Sequence, residues 1–141
     1  MPYKCWSLYE TNGEWTGLQM VEWELTAGAA GDATGFSAYP IGGQVIRVEL
    51  ESSDTVPNAA TVKVYEEDSR CAIGARHDAV AYVHAGPAVI TAQILPTIQR
   101  TDIAGNVIAG EYAPPVVQGT LTCAIAGFTA GQHLHARAYI R

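Results

Sequence analysis

Apolar and polar residues alternate with a period of two along much of this chain, a period that builds strands and not helices. The stretch "QHLHARAYIR" (132–141) shows it plainly. Leu134, Ala136, Ala138 and Ile140 fall on one face, while His133, His135, Arg137, Tyr139 and Arg141 fall on the other. "LQMVEWELTA" (18–27) sets Val21, Trp23 and Leu25 against Glu22 and Glu24. "GQVIRVELES" (43–52) sets Ile46, Val48 and Leu50 against Arg47 and Glu49, and "ATVKVYEED" (60–68) places Val62 and Val64 together. "GTLTCAIAG" (119–127) opposes Leu121, Cys123 and Ile125 to Thr120, Thr122 and Ala124.

Turn residues punctuate these runs. Pro57-Asn58 precedes one strand, Gly86-Pro87 separates "AVAYVHAG" from "AVITAQILPT", and Pro96 ends the latter. Between Thr97 and Pro115 the pattern is least regular, and Gly105-Asn106 marks a short hairpin there. No helical period is sustained. About seven or eight short strands joined by turns predict an all-β fold, an antiparallel β-sandwich or small barrel of jelly-roll kind. The final strand is expected to pair with its predecessor as a hairpin across "FTAGQ". Residues 1–17 carry Tyr3, Trp6, Tyr9 and Trp15 without a sustained period and read as an irregular aromatic arm. Residues 18–141 form a single β-sandwich domain in this reading.

A chain of 141 residues is long enough to bury a core without disulfide or metal. Cys5, Cys71 and Cys123 are odd in number and form no CxxC pair, which argues against a disulfide framework or zinc knuckle. Charged residues make up only 16% of the chain, below the ~25% of ordinary domains, so part of the surface is expected to be covered by partners. A net charge of -6 disfavours nucleic acid, whose binding rests on clustered Lys and Arg. No apolar run reaches the ~18 residues of a membrane span. "MPYKCWSLYE" lacks the apolar core of a signal peptide, so synthesis in the cytoplasm is expected.

Candidate chemistry is sparse. His133 and His135 project from one strand face ~6 to 7 Å apart and could share a metal if a neighbouring strand supplied a third ligand. The sequence names none, and His77 and His84 stand in no paired motif. Glu66-Glu67-Asp68 lacks the spacing of an EF-hand loop and reads as a solvated turn. "GAAGDATG" (28–35) lacks the order of a phosphate loop and reads as a turn between strands. There is no GxSxG elbow and no carboxylate pair suited to acid and base roles. No catalytic, cofactor-binding or metal-binding residue is assigned, and no enzymatic activity is expected.

The order of the motifs "GGQVIRVEL", "ATVKVYEEDSRCAIGARHD" and "GTLTCAIAG...HLHARAYIR" resembles small structural proteins encoded beside the head genes of tailed bacteriophages. Arg47, the acidic Glu66 to Asp68, "GARHD" (74–78), "GTLT" (119–122) and "AYIR" (138–141) carry the resemblance. It implies a virion location on the capsid surface and a decoration, or cement, role in stabilising the head shell. The implied partners are the major capsid protein and further copies of this chain, a trimer being one such homo-oligomer, with neither nucleic acid nor membrane. A head-to-tail connector or tail ring component is the alternative within that class. Tyr3, Trp6, Tyr9 and Trp15 are the expected partner-binding residues. A carbohydrate-binding module, stacking sugars on Trp6, Trp15 or Trp23, is the alternative from another class, although the alternation of Trp23 with Val21 and Leu25 reads it as core.

Overall fold

The computed structural model describes residues 3–9, 15–38, 41–67 and 77–141, with 3–9, 15–17, 67, 77–78, 98–101 and 118 described as backbone alone. These residues form eleven strands and no helix. They are β1 (Tyr3–Tyr9), β2 (Trp15–Thr26), β3 (Ala33–Phe36), β4 (Ile41–Val56), β5 (Thr61–Glu67), β6 (His77–Val83), β7 (Ala88–Ile94), β8 (Ile98–Thr101), β9 (Val107–Ala113), β10 (Val116–Ala126) and β11 (His133–Ile140). Every pairing is antiparallel.

The strands form two layers joined at one edge. One layer runs β1-β2-β11-β4-β7, and the other runs β3-β10-β5-β6. The start of β4 (41–44) pairs with the start of β10 (116–119) and joins them. Val21, Trp23 and Leu25 of β2, Val48 and Leu50 of β4, Val62 and Val64 of β5, Leu121, Cys123 and Ile125 of β10, and Leu134, Ala136, Ala138 and Ile140 of β11 fill the space between. The period-two faces read from the sequence are therefore the two inner faces of a β-sandwich, a wiring compatible with the jelly-roll class. The layers approach closely at Gly35, where a Cβ would stand 2.9 Å from Trp23 Cδ1 and 3.0 Å from Leu25 Cδ2. Any side chain there would separate the sheets.

At Gln44 the chain passes from one layer to the other. Gln44 and Arg141 exchange two backbone hydrogen bonds of 2.9 Å, and the next N–H, that of Val45, donates to Pro115 O on the opposite side. Gly43 precedes this switch with φ +141, and a Cβ there would meet Arg141 O at 2.6 Å. Close behind it the register slips: Tyr139 faces Arg47, but Ile140 faces Val45. The extra residue is Ile46, and this bulge corrects the expected face of β4, because Val45 takes the core position while Ile46 is only half-buried.

Two further expectations are corrected. β11 does not form a hairpin with β10; it lies between β2 and β4 in the other layer. The connection 127–132 is held instead against the 27–32 turn, through Ala27 N to Gln132 O, Gly131 N to Ala27 O and Phe128 N to Gly31 O. Glu66 is not a solvated turn residue but a buried one on β5, while Asp68 and residues 74–76 of "GARHD" lie outside the described residues. The arm is paired along much of its length. β1 lies antiparallel on β2, with an irregularity between Ser7 and Tyr9.

Candidate functional site

β11 is flanked on both sides, so His135, Arg137 and Tyr139 each have a neighbour on β2 and one on β4. His135 stands opposite Glu24 and Glu51, Arg137 opposite Glu22 and Glu49, and Tyr139 opposite Met20 and Arg47. The result is a charge-alternating outer face, in which opposite-sign cross-strand pairs support one another. Arg137 Nε donates to Glu22 Oε2 at 3.1 Å, and Arg47 Nη2 donates to Glu49 Oε1 at 2.7 Å. The Arg47 guanidinium also lies 4.7 Å from the Tyr139 ring centre, a cation–π arrangement. The hydrogen bond from Arg47 holds the Glu49 carboxyl below the ordinary carboxylate range, and Glu22 raises Arg137.

The two histidines part company on this face. The exposed His133 turns to Asp54, whose Oδ2 accepts the His133 backbone N–H at 2.7 Å and lies 3.3 Å from Nδ1. His135 faces the other way along β11. Its Nε2 is 3.3 Å from Glu22 Oε2 and is shut off from solvent, yet the angles make no hydrogen bond. Glu24 completes a triple with ligand-type atoms all within 4.8 Å of one another. An open depression of about 610 Å³, lined in part by Glu24, Thr26, Glu51, Ser53, His133 and His135, lies beside it. A shared His133–His135 site is thus not formed; the carboxylates come to His135 alone. Glu22 and Glu24 were visible as the polar face of β2, but only the adjacency of β2 and β11 brings them to the histidine.

A second surface lies at the other end of β7. Among the described residues β8 and β9 pair only with each other, as a hairpin outside both layers. Asp102 builds its turn by accepting the N–H groups of Ala104 and Asn106, both at 2.9 Å. Beyond that turn the ribbon has little cover. Ile103 is fully exposed, and Val107 and Tyr112 are each 60% exposed, with Leu95 and Val116 exposed at its base.

Of the expected partner-binding residues, Tyr3, Trp6 and Tyr9 lie on β1, opposite Trp23, Met20 and Trp15 respectively. Their side chains lie outside the described residues. Trp23 is fully buried in the core and offers no sugar platform. His84 is buried and structural: Nε2 lies 2.9 Å from Ala88 O, which can only accept, and Nδ1 lies 2.9 Å from the Tyr82 hydroxyl. Cys123 is free and buried, its thiol pushed up to about 12 by burial, a state without nucleophilic character at neutral pH. Among the described residues no helix is long and apolar enough to cross a membrane. No protein-family model matches the chain, and no curated protein and no solved structure matches it.

Proposed function

We propose that this chain is a non-enzymatic virion structural protein, a decoration protein that binds the head shell of a tailed bacteriophage and stabilises it. The assembly role is carried by one observation, the β8–β9 hairpin, and the virion setting by the motif order that resembles head-gene neighbours. An isolated two-stranded ribbon is marginal in water, and this one carries Ile103, Val107 and Tyr112 into solvent. Such a ribbon is suited to burial against another subunit. Fully burying one large apolar side chain is worth about 1.5–3 kcal/mol, and repetition over symmetry-related copies multiplies a modest contact into shell stability. Tyr3, Trp6, Tyr9 and Trp15 are the second proposed contact, toward the major capsid protein or another copy of the chain.

The test is binding to undecorated heads by the wild type and by an Ile103→Asp/Tyr112→Asp variant, with circular dichroism of both. The wild type should bind, and the variant should keep its β-sheet spectrum while losing binding. Equal binding by the two would remove the hairpin from the interface, and failure of the wild type to bind heads would remove the decoration role.

A further inference from the structure

We propose that Glu22, Glu24 and His135 form a binding site for one divalent first-row transition cation, of which Zn²⁺ is the reference, on the outer face of the β2–β11 pair. This goes beyond the assembly role and does not depend on it.

The donor set fits that chemistry. Two carboxylates and an imidazole suit Zn²⁺ and its neighbours, whereas Ca²⁺ and Mg²⁺ favour all-oxygen shells. Metal–ligand bonds of about 2.0–2.2 Å put adjacent ligand atoms about 3 to 3.5 Å apart. His135 Nε2 and Glu22 Oε2 already stand at 3.3 Å. The wider separations in the triple, up to 4.8 Å, can close by rotation of Glu24, whose side chain is exposed. Glu22 is buried and hydrogen-bonded by Arg137, so its oxygen is aimed in advance, as an outer-shell partner aims a ligand.

The state of His135 adds an independent pointer. Its Nε2 is denied water, lies at contact distance from a carboxylate oxygen and makes no hydrogen bond to it. A buried nitrogen without a hydrogen-bond partner is costly, and a cation coordinated by it beside Glu22 would satisfy that nitrogen. Charge also permits it. Glu22, Glu24 and the cross-strand Glu51 bring three carboxylates to the imidazole, while Arg137 hydrogen-bonds Glu22 and Lys4 stands opposite Glu22 on β1. The adjoining depression leaves room for water at the remaining coordination positions.

The experiment is calorimetric titration of Zn²⁺ into the chelator-treated full chain, paired with thermal melts with and without the ion. One Zn²⁺ per chain should bind, the melting temperature should rise with Zn²⁺, and added chelator should reverse the rise. His135→Ala and Glu24→Gln should each weaken binding by at least ~10-fold, while His133→Ala should leave affinity and stoichiometry unchanged. Glu24 is exposed, so its variant tests the site without disturbing the core. Failure of the wild type to bind stoichiometrically, or equal affinity in wild type and Glu24→Gln, would overturn the proposal. So would a loss of binding in His133→Ala equal to that in His135→Ala.

Discussion

Ile140 and Arg141 are adjacent in sequence and opposite in environment. The Ile140 side chain is fully buried, whereas Arg141 is exposed and contributes to the fold through its backbone bonds to Gln44. Ile140→Ala should therefore cost about 2–5 kcal/mol, through lost transfer energy and a residual cavity. Arg141→Ala should stay within about 0.5 kcal/mol. Urea denaturation of the two variants checks this; equal effects would mean that β11 is not packed inward. Titration offers another residue-scale test. The Glu49 carboxyl is held below its ordinary value by Arg47, so between the folded and unfolded pKa values the unfolded chain binds more protons. The contribution of the pair is complete above the unfolded pKa and is lost as pH falls through the lowered folded one. Wild type should lose more stability than Glu49→Gln between pH 7 and pH 3. The side chains are partly exposed, which keeps the difference small and salt-sensitive. An equal loss in both would deny the pair any role.

Among the elements, the β8–β9 hairpin is an excursion within a nearly continuous line of pairing. Ile94 of β7 stands opposite Val48 of β4, and Val116 of β10 stands opposite Gln44, so the chain leaves and rejoins one edge of β4 four residues apart, roughly 13 Å at strand rise. Replacing 97–113 by a short Gly-Ser linker should leave the sandwich folded, with a melting temperature within a few degrees of wild type. Collapse of the fold would show that the hairpin belongs to the core. The sequence announced this hairpin through Gly105-Asn106, because turn chemistry is local. It announced the faces of β2, β5, β10 and β11 as well, because alternation records burial residue by residue. Ile46 escaped it, since a bulge is decided by how Tyr139 and Ile140 meet the partner strand. The placement of β11 between β2 and β4 escaped it too. Alternation says which way a side chain points and is silent on which strand lies beside it, and the 127–132 connection takes its course from bonds to the distant 27–32 turn. The grouping of His135 with Glu22 and Glu24 was hidden for the same reason.

At the scale of the whole molecule, a sparsely charged sandwich presents a charge-laddered outer sheet face and, away from both layers, an apolar ribbon. The proposed decoration role joins these features: the sandwich supplies rigidity, and the ribbon and the aromatic residues of the arm supply contact area repeated over the shell. Repetition is the core of that account, since one modest interface stabilises a shell only when it recurs. Counting copies of this chain per purified particle tests it most directly. The account predicts copies on the order of hundreds, matching the symmetry of a head lattice. A count of roughly six or twelve would place the chain in a connector or tail ring, and its absence from particles would contradict a virion role altogether.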